Sequence, residues 1–148
     1  MPDNEPLLVH NCGGGLDANG NSCSCSSPRP IAAEVDAVEH PDFAIHAHEQ
    51  GLNGAKLTVD RAGAESRRRD SLRGIPTQTG FDRDELPPAM TVEGGTGAHV
   101  KYINPRDNRG AGSVIKAQVK DVPDGGTFIL RIENLDLIGV TPRGRRSR

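Results

Sequence analysis

The stretch that most constrains this chain is residues 80–113, GFDRDELPPAMTVEGGTGAHVKYINPRDNRGAGS. It passes from an acid-rich block (Asp82, Arg83, Asp84, Glu85) to a glycine turn (Glu93, Gly94, Gly95). An alternating segment and a polar knot (Asp107, Asn108, Arg109) follow. Residues of these types do little for an apolar core, but they suit a hard metal ion and a phosphate. The core must come from elsewhere, and it must be small: 34% of the 148 residues are hydrophobic and none is Trp. That length fits one domain. Eighteen Gly and eleven Pro imply that much of the chain is connection. No apolar run is long enough to span a membrane. The start MPDNEPLLVHNC lacks the basic residues and long apolar run of a signal peptide.

The net charge of −2 is unevenly spread. Residues 1–50 hold eight acids and one base, whereas residues 51–148 hold twelve acids and seventeen bases. The later part is the one suited to a polyanion, against the alternative of a mixed solvated surface. The three cysteines, Cys12, Cys23 and Cys25, fall in a Gly/Ser-rich segment. No His or Cys partner follows at zinc-site spacing, so they read as linker residues.

Residues 1–30 read as a linker, with almost nothing to bury. Residues 31–38 suggest a first strand. Pro41 can open a helix running to about Gly51, with Phe43, Ala44 and Ala47 on one side. His46 and His48 are two apart, on different helix faces, and read as surface or edge residues. KLTVD (56–60) reads as a strand and AGAESRRRDSLR (62–73) as a helix, with Asp60 as a possible cap. In that helix Arg68 and Arg69 are candidates to contact nucleic acid, as is Arg83 beyond it. Residues 90–92 and 98–103 read as two strands around the glycine turn, with His99, Lys101 and Ile103 sharing a face. Residues 104–106 read as a loop, followed by a helix from Asn108 or Gly110 to Lys120 with Val114, Ile115, Gln118 and Val119 inward. TFILRI (127–132) is the most apolar segment, hence a central strand, and ENLDLIGV a possible further one. The last residues, TPRGRRSR, form a basic tail. Together these predict an α+β domain over residues 31–140, a small antiparallel sheet with flanking helices, between a linker (1–30) and a tail (141–148).

LTVDRAGAESRRRDSLRGIPT, GFDRDELPPAM, EGGTGAHVKYI, DNRGAGS and PDGGTFILRI occur in the order and spacing of a known family. From Leu57 to Ile132 the chain resembles the NucA/NucB deoxyribonucleases. The resemblance implies a non-specific DNA endonuclease with a ββα-metal motif, two strands and a helix framing one divalent ion. Two departures stand out. Leu57 and Thr91 replace cysteines of secreted relatives, as expected if a disulfide were lost as a unit in a protein working in a reducing cytoplasm. Leu86 stands where the family has an aromatic residue, and Val114 and Gln118 where it commonly has Trp and Asn. Separately, Leu7-Leu8-Val9-His10-Asn11-Cys12 resembles the end of Hint (hedgehog/intein-type) self-cleaving domains, which often precede the toxin tip of bacterial polymorphic toxins. That resemblance implies a delivered toxin with an immunity protein as partner.

Phosphodiester hydrolysis needs a base for water, a cation for the developing charge, polar groups to fix the cation, and basic groups on the flanking phosphates. With the family as guide, Asp84 is the expected base. Glu85 is a possible metal ligand or second base. A surface pairing of either acid with Arg83 is the alternative. Asn108 is the expected metal ligand, with a helix N-cap as its alternative. Arg109 is the expected phosphate clamp, unless it pairs with Asp107. Asp82 is expected to bond loop amides. Glu93, His99 and Gln118 are further candidates: Glu93 for the metal or the turn, His99 as another base or a surface residue, Gln118 as a stand-in for the family's Asn. Oxygen ligands favour Mg²⁺ or Mn²⁺. DNA is the expected partner, with no small-molecule cofactor. The alternatives are an extracellular nutrient or biofilm nuclease, and a nucleic-acid-binding module without catalysis.

Overall fold

The structure, a computed structural model, describes residues 30–141. The readings placed on residues 1–29 (linker, cysteines, Hint-like junction) and on the arginines of 142–148 lie outside the described residues.

TFILRI forms the middle of a three-stranded sheet, as its apolar character predicts. This strand, β5 (Thr127–Glu133), alternates so that Phe128, Leu130 and Ile132 are buried. Each such side chain stabilises the fold by about 1.5–3 kcal/mol. Strand β1 (Ala32–Asp36) pairs with it in parallel and β2 (Lys56–Thr58) antiparallel, in the order β1-β5-β2. The sheet is therefore mixed. The first and last strands are separated by nearly the whole domain, ample chain for the crossover that parallel pairing requires.

Helix α1 (Pro41–Glu49) begins at its proline as expected, but its own N-cap residue, His40, makes no side-chain cap. Asp107, from a helix far along the chain, supplies it. Its carboxylate accepts the backbone N–H of Asp42 (2.8 Å) and of Phe43 (3.3 Å). Asp42 in turn accepts the N–H of Asn104 at 3.1 Å, so two helix starts interlock. Burial pushes the Asp107 carboxyl above its ordinary range, against the pull of those two N–H groups.

Helix α2 (Ala64–Ser71) is short and capped by Gly63; Asp60 instead accepts from Arg67 at 2.8 Å. A second, two-stranded sheet pairs β3 (Asp82–Leu86) antiparallel with β4 (His99–Ile103). The acidic block itself is thus the first strand of the ββα unit. Residues 90–92, expected as that strand, make only an isolated bridge, Thr91 to Val59. Turn bonds from Thr91 N–H to Pro88 and from Gly94 N–H to Thr91 bend them instead. A Cβ on Gly94 would run into the Pro88 carbonyl, so the turn closes only with glycine there.

Helix α3 (Pro105–Gln118) starts earlier than the sequence suggests. Asn104 caps it, accepting from the N–H of Arg106 (2.9 Å) and Asp107 (3.4 Å), and Pro105 takes the first position. Ala111, Ile115 and Val119 face the core, whereas Gln118 is exposed. Residues 135–138, a possible strand by sequence, form a 3-10 turn (Leu135–Ile138) set off by Asn134 in a left-handed conformation, φ 60°. The fold is α+β, and no described helix is long and apolar enough to cross a membrane.

Candidate active site

Strand alternation sorts the acidic block. Asp82, Asp84 and Leu86 turn towards α1 and α3; Arg83 and Glu85 turn towards α2 and the segment after it. Where β3, α2 and α3 meet lies a cleft of about 380 Å³. Arg83, Asp84 and Glu85 line it from β3, Arg68 from α2, and Asn108, Arg109 and Lys116 from α3.

Asp84 is 6% exposed at the floor of this cleft. Its Oδ2 lies 2.7 Å from Nδ1 of His46, and His46 is wholly buried. The other ring nitrogen of His46, Nε2, lies 2.9 Å from Nδ1 of His99. The two rings meet edge to face at 61°, with centroids 5.1 Å apart. The expectation that His46 is a surface residue is therefore corrected. Phe43, His46 and Ala47 are spaced i, i+3, i+4, one helix face, so the apolar stripe that buries Phe43 buries His46 with it. That spacing was the available signal. His48 is only partly buried.

Neither acid pairs with Arg83, which donates to the Ile75 carbonyl at 2.8 Å. Both oxygens of Glu85 are engaged, Oε1 by Arg68 at 3.1 Å and Oε2 by the Ser71 hydroxyl. Arg109 does not pair with Asp107. It grips Asp82 in a fork, at 2.9 and 3.0 Å, and Asn108 Nδ2 adds a third bond to Asp82 at 3.3 Å. Asp82 thus bonds side chains rather than loop amides. The Arg109 hydrogen bond is the main cause holding its carboxyl below the ordinary value of 3.8.

Besides His99, three candidates lie outside the cleft. Gln118 stitches the β1 edge, accepting from Glu34 N–H (2.9 Å) and donating to its carbonyl (2.8 Å). Glu93 accepts from the N–H and hydroxyl of Thr58, tying the glycine turn to β2. Arg69 is exposed on α2 and does not line the cleft. Lys116, which sequence reasoning passed over, does line it, two helical turns beyond Arg109.

Among the described residues no three His, Cys, Asp or Glu side chains are grouped to hold a metal ion. A closed nitrogen and sulfur site of the zinc type needs such a group. The cleft offers hard oxygens instead. Asn108 spends its amide N–H on Asp82, which leaves its carbonyl oxygen free to act as a ligand. Asp84 accepts only through Oδ2 among the described residues. One or two protein oxygens beside several waters fit a hard divalent ion.

Residues 46–131 match the family model described as Deoxyribonuclease NucA/NucB. The chain is also 53% identical over 96 residues to a "DNA-entry nuclease" of Bacillus subtilis (strain 168). That match covers 64% of this chain and 65% of the relative, so under two thirds of the relative's length is spanned.

Proposed function

Because the chain belongs to the deoxyribonuclease NucA/NucB family, we propose that it is a metal-dependent endonuclease that hydrolyses DNA phosphodiesters with little regard to sequence. The observation that carries this reading is the Asp84 carboxylate, held by buried His46 on the floor of a cleft rimmed by Arg68, Arg83, Arg109 and Lys116.

Asp84 takes the proton of the attacking water through the oxygen that His46 leaves unengaged. Asn108 would hold the divalent ion through its carbonyl oxygen; when bound, that ion supplies charge neutralisation at the phosphate and the leaving oxygen. Arg83 and Lys116 hold the flanking phosphates. Arg109 is oriented for the same task by its fork on Asp82. Glu85 keeps Arg68 at the rim rather than binding the ion, since Arg68 and Ser71 occupy its oxygens. Support for activity over a merely binding module comes from the departures from the family pattern: Gln118 serves the β1 edge outside the cleft, and Leu86, a core residue, adds only an apolar wall to it, so neither replaces a polar group of the site.

Nicking of supercoiled plasmid with Mg²⁺, Mn²⁺ or EDTA tests the reading, alongside Asp84→Asn and Asn108→Ala. Metal-dependent cleavage lost in both variants is expected. DNA binding without cleavage under any metal would favour the binding module.

The setting we propose is a toxin delivered into a target cell, covered by an acidic immunity protein. The core closes over buried Leu57 and Thr91 without sulfur there, as suits a reducing compartment. Expression without a partner in a bacterial cytoplasm should kill the host. Unimpeded growth while the protein is active on plasmid would point to the nutrient or biofilm role.

A further inference from the structure

His46 cannot serve Asp84 by itself. Its ring is fully buried and both nitrogens are engaged, Nδ1 with Asp84 and Nε2 with His99. An ionised carboxylate only accepts, so Nδ1 must carry the proton. A neutral imidazole then has a lone pair on Nε2, which needs a donor, and Nδ1–H of His99 is the group placed to give one. His99 is the exposed end of the chain of bonds, on the first residue of β4. It does not line the cleft and is separated from Asp84 by the whole of the His46 ring.

We infer that His99 is a positioning residue for the reaction. By donating to Nε2 it selects the His46 tautomer that donates to Asp84, and so fixes the carboxylate in the cleft. This rests on the hydrolytic reading above. Remove the His99 ring and water enters beside Nε2. Water donates and accepts alike, so Asp84 alone then favours the Nδ1–H tautomer and the other gains population. In the other tautomer Nδ1 presents a lone pair to a carboxylate, and Asp84 turns away from its catalytic orientation. The His99 imidazole is not itself the base, because no atom of it reaches the cleft.

The test is steady-state cleavage of a duplex oligonucleotide with Mg²⁺ by the whole chain, comparing wild type, His99→Ala and His99→Asn, with the thermal midpoint of each. His99→Ala should lower kcat about tenfold, leave KM unchanged and shift the midpoint by no more than about 2 °C. His99→Asn, whose side-chain amide can take the place of Nδ1, should restore kcat to within about twofold. Wild-type kcat in His99→Ala overturns the inference and leaves the nuclease reading standing. A loss that Asn does not restore, with a fall in midpoint, makes His99 structural and overturns it also. Absence of cleavage by the wild type removes the functional reading and this inference with it.

Discussion

Nδ1 of His46 on α1 and Oδ2 of Asp84 on β3 lie 2.7 Å apart, joining residues 38 positions distant in sequence. Through this bond the orientation of the candidate base depends on a helix that lies outside the ββα unit. That helix is in turn anchored at its start by Asp107 of α3.

His46→Ala should therefore damage both stability and chemistry. It opens a cavity and leaves a nearly buried acceptor without its donor, at a cost of about 1–3 kcal/mol for the lost partner, with the cavity adding to it. Urea unfolding reads the first effect and plasmid nicking the second. Unchanged values in both would mean that the bond holds nothing in place.

Asn104 and Asn108 separate capping from catalysis. Asn104 caps α3, so Asn104→Ala should cost about 1 kcal/mol while the folded fraction still cleaves. Asn108 caps nothing, so Asn108→Ala should remove cleavage and leave the unfolding midpoint nearly unchanged. Calorimetry beside nicking assays distinguishes the two. The reverse pattern would return Asn108 to the structural role.

Local chemistry made several elements legible in advance. The alternation of TFILRI located β5 and its central place, and Pro41 located the start of α1. Other features depended on pairing between distant segments. β3 has acids at positions 82, 84 and 85, an unpromising strand until β4 pairs with it and α2 supplies Arg68 and Ser71. Gln118 read as inward because helix periodicity cannot tell a core face from a strand edge wanting hydrogen bonds. His46 shares a helix face with Phe43, three residues back, and not with His48, two residues on, so only the apolar stripe of α1 reveals its burial.

The basic rim should be visible in the salt dependence of DNA binding. Arg83 and Lys116 line the cleft, and Arg69 does not. Each of Arg83→Ala and Lys116→Ala should reduce the slope of log K against log salt by about 0.7–0.9, the share of one phosphate contact. Arg69→Ala should leave it unchanged. Equal slopes for all three variants would place the DNA elsewhere.

Acid should unfold the protein through identifiable carboxylates. The Arg109 hydrogen bond lowers Asp82. Burial pushes Glu93 up, but bonds from Thr58 outweigh it and hold that group below its ordinary 4.5. The N–H groups of Arg61 and Ala62 lower Asp124. A carboxyl with a depressed folded pKa contributes stability above its unfolded value and loses it as pH falls through the folded one. Asp107, raised chiefly by burial, has the opposite sign: its contribution is full below 3.8 and is lost as pH rises through its folded value. Three groups oppose one, so stability should decline as pH falls below about 4.5, with Asp107 softening the slope. Arg109→Ala frees Asp82 to titrate nearer its ordinary value, so the variant should lose less stability than wild type between pH 5 and pH 3, roughly the window in which such carboxyls take up protons. Urea midpoints across that range measure the difference. An identical acid slope in the variant would show that the Arg109 fork on Asp82 contributes nothing to folding in solution.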